Sequence, residues 1–132
     1  MLTPNNCTVP SGEYMNPAQK SFFESLLLDR MSQVRVAMGD ARDALTKLGV
    51  AADSLDQAVI EEERQALTGL IARLDNQARE IRAALQAIAD DEYGWCEDTG
   101  EEIGLERLQA QPTARYSAIA QAHHEARSRQ YR

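Results

Sequence analysis

The sequence predicts an all-α dominated fold: a long antiparallel coiled-coil hairpin, a small knuckle-shaped lobe and a C-terminal helix. Three observations predict it. Two heptad series of equal length stand in tandem, at Leu27, Met31, Val34, Met38, Ala41, Leu45 and Leu48, and at Leu67, Ile71, Leu74, Ala78, Ile81, Leu85 and Ile88. Aromatic residues make up only 5% of the chain, which favours long helices over a thick mixed core. The run Tyr93-Gly94-Trp95-Cys96-Glu97-Asp98-Thr99-Gly100 has the outline of a C-x-x-C knuckle with its second sulfur missing.

Residues 1–15, with Pro4, Pro10 and Gly12 and few apolar groups, read as an N-terminal arm. The hairpin spans 16–90. Asn16 is placed to cap its first helix, Pro17 loses no N–H at the first helical position, and Gln19 completes an N-x-x-Q box. Pairing Leu27 with Leu85, Val34 with Ala78 and Leu45 with Leu67 puts the tip near 49–57. There Gly49 through Asp53 supply a helix stop, and Ser54-x-x-Gln57 a new start. The alternative registry would bend the chain inside Gln57-Ala58-Val59-Ile60-Glu61, which reads as helix. Each arm would reach about 45–50 Å at the helical rise of 1.5 Å per residue.

A lobe at 91–114 follows, with Gly100 and Gly104 allowing a tight hairpin, and a helix over 115–132 closes the chain. Pro112-Thr113 is read as beginning that helix, Tyr116, Ile119 and Ala120, with His123, as its inner face, and 127–132 as a frayed tail. A structural zinc ion takes four thiolate or imidazole donors in a tetrahedron. Cys96 is one such donor, Thr99 stands at the second position, and Ser117 and Ala120 repeat the x-x spacing with no sulfur. The lobe therefore reads as zinc-finger-like without zinc, its metal ligands none. Tyr93, Trp95, Ile103, Leu105, Leu108, Tyr116 and Ile119 are its expected apolar core, and a Thr99–Ser117 hydroxyl pair its expected polar tie.

The net charge of -7 argues against direct DNA binding, which needs clustered cations to neutralise phosphates. Acids concentrate instead: five lie in 53–63 ahead of Arg64, and seven lie in 90–102. The two cysteines, Cys7 and Cys96, suit a reducing compartment and form no disulfide framework. Without a signal-like or membrane-spanning stretch, the expectation is a cytoplasmic monomer away from membranes. Nucleophile–base pairs and phosphate-cradling glycine loops are missing, so the chain is read as no enzyme.

With these features in order, the chain resembles the DksA family of bacterial RNA polymerase regulators. The resemblance rests on Glu13-Tyr14-Met15-Asn16, on Asp53-Ser54-Leu55-Asp56-Gln57-Ala58 followed by Glu61-Glu62-Glu63, and on Tyr93-Gly94-Trp95-Cys96. Glu102-Ile103-Gly104 and Arg107-Leu108 followed by Pro112-Thr113-Ala114 continue it, over roughly residues 13–125. Usual members carry cysteine where this chain has Thr99, Ser117 and Ala120, so it is similar to the family's zinc-independent branch.

The resemblance implies a partner and a site. The hairpin would enter the secondary channel of RNA polymerase and alter open-complex stability during initiation, with ppGpp as co-effector. Asp53 and Asp56 would be the effector carboxylates, Ala58 a supporting tip residue, and Arg73 a contact to polymerase or ppGpp. Glu80, Gln111 and Gln121 stand where relatives carry basic residues near ppGpp, which argues against direct binding there. Two other roles for the tip stay open. Acids beside a helix start are favoured by caps and the macrodipole, by about 0.3–1 kcal/mol, with no function at all. As in transcript-cleavage factors, tip carboxylates could instead help hold a second Mg²⁺ in the polymerase active site. A plain coiled-coil adapter with an inert tip is the remaining option.

Overall fold

A computed structural model describes residues 8–51 and 56–130. It contains four helices: α1 (Pro17–Val50), α2 (Gln57–Ala89), α3 (Leu105–Ala110) and α4 (Ala118–Gln130). The first two, of 34 and 33 residues, form the helical hairpin. The chain divides into two compact units. One comprises Met1–Leu28 with Arg82–Arg132, the other Asp29–Ile81.

In the second unit the heptad seam is the core. Met31, Val34, Ala41, Leu74, Ala78 and Ile81 are buried, as the two periodic series require. Met38, Leu45, Leu48, Leu67 and Ile71 occupy seam positions but are only half-buried. Ile60 is wholly enclosed, one heptad before Leu67. A buried residue so near the start of α2 extends the second series toward the turn.

The helix ends have local causes. Asn16 caps α1 as expected, its Oδ1 accepting from the Gln19 N–H at 2.9 Å. The reciprocal half of the box is shifted by one residue. Gln19 Oε1 accepts from Met15 N at 2.7 Å rather than from Asn16 N, which donates to the Glu13 carbonyl. Gln19 Nε2 also donates to the Pro10 carbonyl, so this fully buried amide ties residues 10–16 to α1. At its far end α2 stops on a left-handed turn: Asp91 has φ 59°, and Glu92 N reaches back to the Ala87 carbonyl at 2.9 Å. Ser54 lies outside the described residues, and the start of α2 is capped by Asp56. Its Oδ1 accepts from Ala58 N at 2.8 Å, and its carbonyl accepts from Ile60 N.

The other unit packs residues 8–16, the first turns of α1 and the last turns of α2 onto the lobe. Phe23, Leu27, Ile88, Tyr93, Ile103, Leu108 and Pro112 fill it, with the Phe23 and Tyr93 rings 5.5 Å apart. Three expectations for the lobe need correction. Ile119 is 74% exposed and Trp95 40% exposed, so neither is core. Leu105 opens a six-residue helix, α3, and Pro112-Thr113 lie in turns ahead of α4 rather than in it. Residues 127–130 continue α4 rather than forming a frayed tail, and 131–132 lie outside the described residues.

Tyr14 stitches the arm to the lobe. Its hydroxyl donates to the Gly94 carbonyl and accepts from the Gly104 N–H at 3.0 Å, while its ring meets Trp95 edge-on at 5.2 Å. Burial holds this phenol above its usual range. Gly94 makes the approach possible, since at φ 92° a side chain is strained, and a Cβ there would lie 2.9 Å from Met15 Cγ. Gly94→Ala should therefore destabilise the fold by about 2–3 kcal/mol, combining left-handed strain with a forced contact. Urea unfolding of this variant beside Gly104→Ala is the check, because Gly104 has an open Cβ position and should lose less.

Candidate functional site

Two places in the chain carry the predicted residues: the start of α2 and the knuckle of the lobe. At the first, Asp56 and Ala58 are exposed, and the Asp56 carboxylate serves as the helix cap. Its Oδ1 makes that bond and the residue is exposed, so a carboxylate at the positive end of α2 still presents charge to solvent. Asp53 lies outside the described residues, as does Cys7. Of the three following acids, Glu61 is paired with Arg64 at 3.0 Å. Arg73 is exposed on α2, its guanidinium close to the backbone of Gly69.

In the knuckle the backbone folds back on itself through one isolated bridge, Trp95 to Glu102. Cys96 N donates to the Glu101 carbonyl, Gly100 N to the Cys96 carbonyl and Ile103 N to the Gly94 carbonyl. Cys96 is 3% exposed. Burial pushes its thiol up, but the Thr99 hydroxyl and the N–H groups of Ser117, Thr99 and Asp98 point at the sulfur. They outweigh burial and bring its pKa from the ordinary 9 down to about 6. The sulfur thus gathers donors from both segments that a knuckle metal would join.

The other three positions behave differently from one another. The Thr99 oxygen, besides meeting the sulfur, accepts from Glu101 N at 3.3 Å. Ser117 Oγ accepts from Ala120 N at 3.2 Å and caps α4. The two hydroxyls are directed to these partners and not to each other. Ala120 is buried and brings only a methyl group. Two further side-chain contacts reinforce the closure. Arg115 forks onto both oxygens of Glu97 at 3.0 and 2.7 Å, and Glu97 N donates to the Arg115 carbonyl. His124 of α4 pairs with Asp98 and stacks on Tyr116 at 4.2 Å. No pattern in the sequence signals Asp98 as the partner of His124.

The arrangement defines a class, a helical hairpin whose base is closed by a knuckle-type lobe. A family profile described as the prokaryotic dksA/traR C4-type zinc finger matches residues 91–126. The chain is 35% identical over 123 residues to the RNA polymerase-binding transcription factor DksA of Caulobacter vibrioides, covering 90% of this chain and 84% of that protein. Against the protein of the same name from Escherichia coli K12 the identity is 33% over 109 residues, 80% of this chain and 70% of the other. The structure of transcription factor DksA2 from Pseudomonas aeruginosa superposes with a TM-score of 0.83 at 37% identity, over 91% of this chain and 93% of that one. The chain belongs to the DksA family.

A C4 zinc site does not fit the residues present. One thiol, two neutral hydroxyls and a methyl group stand in for four thiolates. Among the described residues no group of three or more His, Cys, Asp or Glu is placed to hold a metal ion.

The depressed Cys96 pKa has a sign that can be tested. The unfolded chain binds the thiol proton more tightly, so the thiolate's contribution is complete above pH 9 and disappears as pH falls through about 6. Urea midpoints of wild type and Cys96→Ser should diverge steadily from pH 6 to pH 9, with wild type gaining. A separation that stays constant over that window would reject the thiolate.

Proposed function

We propose that this chain binds RNA polymerase directly, inserts its hairpin into the secondary channel, and modulates open-complex stability during transcription initiation. The observation that carries this reading is the 35% identity across 90% of the chain to a protein named for RNA polymerase binding. The acidic start of α2 supports it chemically. Asp56 is exposed and held at a defined angle by its own capping bond, so its charge reaches a partner with little further ordering of the side chain. Carboxylates of this kind steer toward cationic groups and compete for them. Asp53 and Ala58 complete the proposed tip, and Arg73 is its proposed contact on the α2 arm.

The chain acts in this proposal as a cytoplasmic monomer that does not touch DNA. Among the described residues no helix is long and apolar enough to cross a membrane. ppGpp serves as co-effector on the polymerase complex. Glu80, Gln111 and Gln121 offer no cation to its phosphates, which is why the chain is not proposed to hold it at those positions.

Asp56→Asn is the informative substitution because asparagine caps a helix about as well as aspartate, leaving the charge as the only loss. Wild type should change the lifetime of promoter open complexes, and Asp56→Asn should weaken that effect by about tenfold, the weight of one charge-assisted hydrogen bond. Equal activity of the two proteins would remove the tip from the mechanism. Shortening of RNA in backtracked complexes would replace the regulator reading by the cleavage one.

We further propose that the protein works without zinc, on the strength of the donor set around Cys96. Its melting temperature and its effect on open complexes should be unchanged by a strong zinc chelator. A chelator-induced drop in either would overturn this.

A further inference from the structure

One side chain stands out at the turn-side end of the Asp29–Ile81 unit. Among the described residues from 42 to 73, Ile60 alone is buried, and it is wholly enclosed. The seam does not reach it unbroken. Continued backward from Leu67 by steps of three and then four, the second heptad series passes through Arg64 before it arrives at Ile60. Arg64 is exposed and paired with Glu61, and Leu67 beyond it is only half-buried. Ile60 therefore stands as a separate apolar anchor, fourteen residues ahead of Leu74, the next buried position on α2.

That anchor sits in the turn that grips Asp56. The Asp56 carbonyl accepts from the Ile60 N–H at 3.1 Å, and its Oδ1 accepts from the Ala58 N–H at 2.8 Å. Together the two bonds tie the backbone and the side chain of Asp56 to the first turn of α2. The other residues of this end, Gln57, Ala58, Val59, Glu61, Glu62 and Glu63, are all exposed. A helix end with so little buried surface frays unless something ties it down. An enclosed Ile60 presents no surface to a partner, so its influence on one passes through the groups it positions.

We infer that Ile60 is the positioning residue of the acidic tip. Its buried side chain pins the first turn of α2, and the paired bonds from that turn set the direction of the Asp56 carboxylate. The inference rests on the proposed reading of Asp56 as an effector and deepens it by naming what aims the charge.

Ile60→Ala discriminates because alanine is the better helix former. Were the turn held by helix propensity, the variant would tighten it; with Ile60 as anchor, the variant loosens it. Native-state amide exchange on the whole free chain should show amides 58 and 60 exchanging about tenfold faster in Ile60→Ala, with amides 74–81 unchanged. Ile60→Leu, which keeps the apolar volume, should restore the wild-type rates. At saturating concentration with polymerase, Ile60→Ala should lose about tenfold of the effect on open-complex lifetime, as Asp56→Asn does, and Ile60→Leu should recover it. Adding Ile60→Ala to Asp56→Asn should cost nothing further, because a residue that acts through the carboxylate then has nothing left to aim. Unchanged exchange at 58 and 60 would overturn the anchor. Additive losses in the double variant would overturn its action through Asp56. An inert Asp56→Asn would sink the effector reading instead, and exchange at 58 and 60 in the free protein would still decide on the anchor by itself.

Discussion

Residues 96–100 and 115–117 meet at one sulfur atom, and the closure of the lobe depends on that meeting. A knuckle is short, and its hairpin holds only one bridged pair of residues. Its shape must come from convergence on a centre. Here the centre is Cys96, toward which N–H groups from both segments and one hydroxyl are aimed. Such donors orient around a thiolate much as they do around a metal-bound one, but each contact is worth only a fraction of a coordinate bond. Further ties lie nearby. The Arg115 fork onto Glu97 and the His124 contact to Asp98 bind the same loop to the same C-terminal segment from outside. These are partly exposed pairs of modest individual strength, so closure is spread over several weak ties.

Much of the hairpin was legible because its signal is periodic. Each seam residue repeats the one a heptad away, and the period survives any single irregular side chain. Ile60 could have been found by extending the second series one step, but the run of acids after it reads as solvated surface. The α1 start was legible in Asn16 and Pro17, whose roles are local. The reach of Gln19 was not, because the acceptor of its amide, Pro10, lies in a stretch that carries no pattern.

The lobe was legible in outline and not in detail. Apolar content flagged Tyr93, Ile103 and Leu108 correctly, since large side chains in a short segment seldom have anywhere else to go. It misplaced Ile119 and Trp95 because one-dimensional reasoning cannot see which face of a short helix or turn meets a neighbour. The tie through Tyr14 joins residues 80 and 90 positions apart in the chain, and no spacing rule reaches that far. The acidic cap at Asp56 shows a different limit. The same carboxylate satisfies a helix terminus and is a candidate effector, and pattern alone assigns it to either.

The sealed amide of Gln19 also sets where this protein can begin. Its nitrogen leans on the Pro10 carbonyl and its oxygen on the Met15 N–H, inside a pocket closed to water. A version trimmed to the first helix would strand both halves of that group in an apolar interior, a loss on the order of 1–3 kcal/mol for each. The stable fold thus draws on residues 10–16, ahead of any regular structure, and the arm is part of the foundation.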